Sequence, residues 1–116
     1  MNAKIIPLLL SILLLACGTT FAGTIPPEEA KEHVGQTVTV RGQVEEFHAA
    51  TRAYFLNMGG RYPHETFSVV CFSGSAVPPN DLSHFEGKTI YVTGRVKLYH
   101  GRVEIILNSI DQISEH

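Results

Sequence analysis

The chain has 116 residues, room for one domain. Nine lysines and arginines face eleven aspartates and glutamates, a net charge of −2 with the histidines neutral. That balance excludes a protein that works by blanket phosphate contact, since such proteins are usually basic; an anion site here has to be a local patch.

The first residues read as a targeting segment. One positive charge, Lys4, precedes an apolar stretch over 5–16 that only Ser11 interrupts, with Pro7 near its start. The stretch falls short of the ~20 residues that span a bilayer comfortably. It matches the apolar core of a secretory signal peptide. The alternative, a buried N-terminal helix, would need cover on every side, which so small a domain cannot supply.

Two cleavage sites compete. Thr20-Phe21-Ala22 before Gly23 offers small residues to ordinary signal peptidase, giving a leader of 1–22 and a domain of 23–116. Leu14-Leu15-Ala16-Cys17 resembles a lipobox, giving a leader of 1–16 and a lipid on Cys17 that anchors the domain without spanning anything. The expected location is the periplasm or the medium, or the cell envelope if lipidated. Both lie in an oxidising compartment, and only Cys71 remains as a free thiol. Removing 1–22 costs one lysine and no acid, so eight basic residues face eleven acidic ones and the net charge becomes −3.

Residues 26–33 predict a short helix. Pro26 and Pro27 suit a helix start, Glu28 and Glu29 favour its positive end, and Gly35 suits its stop. Strands then dominate: 37–47, 54–58, 66–72, 89–98 and 103–107, rich in Val, Thr, Ile and Phe. Turn chemistry joins the second to the third over 59–64 and the fourth to the fifth over 99–102. Between the third and fourth, Pro78-Pro79, a capping Asn80 or Asp81, and Leu82 and Phe85 three apart predict a one- to two-turn helix ending at Gly87. The periodicity of strands and helix predicts a core of Val38, Val40, Val44, Phe67, Val69, Cys71, Phe85, Ile90, Val92, Val96, Ile105 and Leu107.

Residues 34–44 and 86–96 align with each other. Gly35/Gly87, Thr37/Thr89, Val40/Val92, Gly42/Gly94 and Val44/Val96 are identical pairs. A glycine inside a strand marks a bulge or a sharp coil, and a small closed barrel needs such coiling. The order is strand-strand-strand-helix-strand-strand. The expected fold class is therefore all-β: a five-stranded Greek-key barrel with a short helix between strands three and four and a short N-terminal helix.

This order and these glycines resemble the OB-fold. A closer resemblance rests on residues 25–35, on FLNMGGRYPHETFSVV (55–70), on GKTIYVTGRVKLYHGRVEII (87–106), and on Asp111-Gln112-Ile113. These look like small exported bacterial OB-fold proteins, similar in turn to the anticodon-binding and other nucleic-acid-binding OB-fold domains. The resemblance implies a non-catalytic binding module that uses strands two and three and the loops joining strands one–two and four–five. The secreted nucleases of this fold use carboxylates for calcium; this chain has no cluster of acids to hold a hard cation.

The positions so indicated combine rings with cations: Phe47, His48, Arg52 and Tyr54; Arg61, Tyr62 and His64; Tyr99, His100 and Arg102. Aromatic faces stack on bases or sugars, and arginine adds charge and cation–π attraction. All five arginines fall in the strand-and-loop region. The structural alternative is that these rings pack in the barrel or cover turns. Six histidines invite a metal test, but none has the tight pairing of a zinc site, so no metal or cofactor is expected. Cys71 shares a strand face with Phe67 and Val69 and reads as a small core residue. The expected ligand is an extended anion such as single-stranded nucleic acid; the alternative is an envelope glycan, a lipid headgroup or a partner protein.

Overall fold

Val44 and Glu45 decide how the chain closes on itself. The computed structural model describes residues 20–116; the apolar core of the expected leader and Cys17 lie outside them. The described strands are β1 (Thr20–Ile25), β2 (Thr37–Gln43), β3 (Glu46–Ala49), β4 (Ala53–Met58), β5 (Phe67–Phe72), β6 (Thr89–Tyr99), β7 (Arg102–Ile106) and β8 (Ile113–Ser114). The ladder runs β1-β2-β6-β7-β5-β4-β3, with β8 on β6. Its β1–β2 and β5–β7 pairs are parallel and its other pairs antiparallel.

This corrects the expected five-stranded closed barrel. The sheet has eight strands and its ladder is open. The first expected strand, 37–47, is two strands that serve opposite ends of the ladder. The Val44 N–H donates to the Lys88 carbonyl at 2.8 Å, on the β6 side. The next N–H, of Glu45, donates to the Asn57 carbonyl at 2.8 Å, on the β4 side. The backbone itself thus carries the sheet from one end to the other where hydrogen bonds do not. The further strands come from β1, three of whose residues belong to the expected 1–22 leader, and from the C-terminal β8.

The internal similarity has a direct meaning. The two related segments are neighbours, β2 and β6, paired in continuous register from Thr37↔Arg95 to Gln43↔Thr89. No bulge interrupts this stretch, so of the expected bulge or sharp coil at Gly42 and Gly94 the bulge is excluded. The glycines serve close approach. A Cβ on Gly42 would lie 2.6 Å from Pro27 Cγ and 2.8 Å from Met58 Sδ; one on Gly94 would lie 2.5 Å from Ile105 Cγ2.

All twelve expected core residues are buried. Leu56, Met58, Val77 and Leu82 join them. The N-terminal helix is a 3-10 segment, Pro27–His33, whose Ala30 is fully buried. The second helix is a single turn, α1 (Asn80–Ser83). With it, Val77, Leu82 and Phe85 complete the core from outside the sheet. Cys71 is buried, its Sγ 3.2 Å from Ser75 Oγ.

Candidate ligand-binding site

Directly paired residues on neighbouring strands point to the same face. The core takes Phe47, Leu56, Val69, Ile105 and Val96, which lie in one row across β3, β4, β5, β7 and β6. The opposite, outer face carries two rows. One is His48–Phe55–Val70–Ile106. The other is Glu46–Asn57–Ser68–Glu104–Lys97. Tyr99 and Arg102 are paired one row beyond.

The second row begins as a hydrogen-bonded chain. Ser68 Oγ donates to Asn57 Oδ1 at 2.6 Å, and Asn57 Nδ2 donates to Glu46 Oε1 at 3.1 Å. The 59–66 loop lies over this end. Its Tyr62 N–H donates to Glu46 Oε1 at 2.7 Å, and Arg61 approaches Glu46 Oε2 at 3.6 Å. The Tyr62 N–H above all, then the Asn57 amide, hold the Glu46 carboxyl below its ordinary pKa.

Tyr62 connects three of the expected site residues. Its ring stacks on His48 with centroids 4.5 Å apart, and the Arg102 guanidinium sits 5.1 Å from its centroid. Arg102 also donates through Nε and a terminal nitrogen to Oε2 of Glu65, a side chain only 4% exposed. This contact raises the Arg102 pKa further. Glu65 Oε1 is buried without a hydrogen-bond partner among the described residues. Arg61 and Arg102 are therefore each matched by a carboxylate.

The remaining expected residues separate. Phe47 and Tyr54 face the core: they are half-buried, their rings lie nearly parallel with centroids 6.1 Å apart, and they pack against the core cluster. Alternation on β3 and β4 turns them inward, away from the outer face that carries His48. Tyr99 is 60% exposed at the β6–β7 turn, edge-on to His100, whose φ of 50° makes the turn. Arg52 and His64 are exposed in loops. Among the described residues no three His, Cys, Asp or Glu side chains gather as metal ligands.

Two adjoining grooves open on the outer face. The first, about 570 Å³, is mainly apolar: Phe55, Val70 and Ile106 lie along it with Phe72, Leu98 and Tyr99. The second, about 600 Å³, includes Arg95, Lys97, Thr37, Thr93 and Gln112. Lys97, Ile106 and Asn108 line both. Arg95 and Lys97 form no ion pair among the described residues. Glu104 lines the first groove and is 6% exposed, and its side chain forms no hydrogen bond or ion pair among the described residues. Burial pushes its carboxyl above the ordinary pKa, against the pull of Arg102 and Lys97.

Sequence reasoning missed Phe55, Val70, Phe72, Lys97, Leu98, Glu104 and Ile106. A signal for Phe55, Val70 and Phe72 existed. The runs Ala53-Tyr-Phe-Leu56 and Phe67-Ser-Val-Val-Cys-Phe72 do not alternate cleanly, and a strand apolar on both faces has two faces to cover.

No protein-family model matches the chain, and no curated protein does. Solved structures do. The asparaginyl-tRNA synthetase from Pyrococcus horikoshii complexed with asparaginyl-adenylate is similar over 82% of this chain and 22% of its own, at 16% identity and a TM-score of 0.57. An OBody bound to hen egg-white lysozyme is similar over 75% of this chain and 90% of its own, at 18% identity and a TM-score of 0.53. The chain spans about a fifth of the synthetase's length. These likenesses give the class of fold: an all-β, OB-fold domain.

Proposed function

We propose that the protein is an exported, non-catalytic binding module that holds single-stranded nucleic acid across the outer face of β4, β5, β7 and β6. The observation that carries this reading is the pair of adjoining grooves. Flat bases need an apolar, ring-bearing surface, and a phosphate backbone needs cations beside it. Phe72 and Tyr99 supply exposed rings in one groove, while Lys97 and Arg95 supply unpaired charge in the other. Local charge of this kind answers the objection raised by a mildly acidic whole. The similar synthetase acts in a tRNA system, which suits the reading. Export rests on the apolar leader.

Fluorescence anisotropy of a labelled mixed-sequence oligonucleotide tests it. Affinity should fall with salt, by ~0.7 log units per log unit of salt for each phosphate contact to a single strand. Arg95→Ala with Lys97→Ala should weaken binding and flatten that slope. Phe72→Ala and Tyr99→Ala should each cost ~1–3 kcal/mol if a base stacks there. Absence of binding at low salt refutes the reading.

The exposed apolar trio Phe72, Leu98 and Tyr99 favours a second reading, a partner protein seated on the same face. The similar OBody is bound to a protein, lysozyme. Binding of that kind should respond little to salt and should not need Arg95. A glycan stacked on the same rings would share that salt insensitivity.

A further inference from the structure

We propose that Glu104 makes the apolar groove selective for guanine, an inference that rests on the nucleic-acid reading above. Three observations carry it. First, the Glu104 side chain is buried, lines the groove, and has no donor of its own among the described residues. Its carboxylate oxygens are not sealed, since Glu65 Oε1 is the one buried side-chain oxygen without a partner among the described residues, so donors of a ligand in the groove can reach them. Its row-mates donate elsewhere: Ser68 gives its hydroxyl proton to Asn57, and the Asn57 amide donates to Glu46.

Second, the groove around it is lined by aromatic rings and branched apolar side chains. Phe55 and Val70 pair across β4 and β5 one row away, and Phe72 and Tyr99 stand exposed with them along the groove. Third, Lys97 is the direct cross-strand partner of Glu104. A cationic ligand, such as a lysine side chain from a peptide, would meet that positive charge on entering. A neutral donor would not.

Among bases the donor count then decides. An ionised carboxylate only accepts, through two oxygens side by side. Guanine presents two adjacent donors, N1–H and the N2 amino group. Adenine and cytosine each present one amino donor beside a ring-nitrogen acceptor, which would face the carboxylate unfavourably. Thymine presents one N–H between two carbonyls. Only guanine matches both oxygens at once, and a good bidentate pair favours the right base about tenfold or more.

The test uses the whole chain and oligothymidines that carry one central substitution: guanine, inosine, adenine or cytosine. The guanine oligomer should bind about tenfold tighter than the all-thymine parent. Inosine, which keeps N1–H and lacks the amino group, should fall between them. Glu104→Gln keeps the side chain's size but replaces one acceptor by a donor, so the ratio of guanine to all-thymine affinity should fall to about one, whatever the variant does to the affinity for oligothymidine itself. A thermal melt of the variant confirms that it folds. If oligothymidine binds and guanine brings no gain, the Glu104 assignment is overturned and the nucleic-acid reading stands. If no oligonucleotide binds, both fall. If a lysine-rich peptide binds better than every oligonucleotide and Glu104→Gln removes that preference, the carboxylate serves a cationic protein partner and the guanine assignment is wrong.

Discussion

Gly94→Ala tests the physical account of the fold most sharply. The added Cβ would stand 2.5 Å from Ile105 Cγ2 and 3.1 Å from Gln112 Nε2. Ile105 is fully buried and belongs to the core cluster, and a β-branched side chain has few rotamers in which to retreat. Inserting a methyl group into such packing costs ~1–3 kcal/mol. Alanine recovers ~0.5–1 kcal/mol of that, because glycine in a strand interior is entropically unfavourable. The net expectation is a loss of about 1 kcal/mol, or ~4–8 °C in Tm for a domain of this size. Thermal and urea unfolding, followed by circular dichroism, measure it. The decisive control is Ile105→Ala, which removes the clashing Cγ2. In that background Gly94→Ala should cost nothing, a coupling of at least ~1 kcal/mol between contacting residues. If Gly94→Ala leaves Tm unchanged, or costs the same with Ile105 truncated, close approach is not why glycine stands there.

Two further outcomes follow from the charges. Arg102→Ala strands the buried Glu65 carboxylate and should destabilise by about 3 kcal/mol, the low end for removing one partner of a buried pair because Arg102 is itself one-third exposed. Adding Glu65→Leu should recover much of that loss, and urea unfolding of the two variants decides; an equally unstable double variant would show that the loss came from Arg102 packing. The acids on the outer face should act in opposite senses with pH. Glu46, lowered chiefly by the Tyr62 N–H, contributes stability above the ordinary carboxylate range and loses it as pH falls through its depressed pKa. Glu104, raised by burial, costs nothing below that range, and its penalty grows as pH climbs from 4.5 through its raised value. Glu104→Gln should therefore match the parent in Tm at low pH and exceed it above; a gap that does not vary with pH refutes this.

Much of the fold was legible because its signals are local. Period-2 alternation names eleven of the twelve expected core residues, since a strand in a sheet with one buried face must alternate, and helical spacing names Phe85. The repeat of Gly42 and Gly94 marked two special strands, although it did not say that a proline ring, a methionine and an isoleucine press on them. The aromatic–cation pattern was legible only in part. His48, Tyr62 and Arg102 do meet, but Phe47 and Tyr54 turn inward, and both Arg61 and Arg102 find carboxylates.

What the sequence by itself determined was composition and period: an all-β chain, the inward faces of its central strands and an apolar N-terminal stretch. Only the tertiary structure decided which outward side chains meet. Arg102 reaches Glu65 from 37 positions away, and Glu104 becomes a groove acid because β7 lies parallel to β5. Between Val103 and Ile105 it looks like any solvent-facing residue of a strand. The reason is physical: alternation is a property of one strand, whereas burial of its outer face is set by the neighbours that long-range pairing brings beside it.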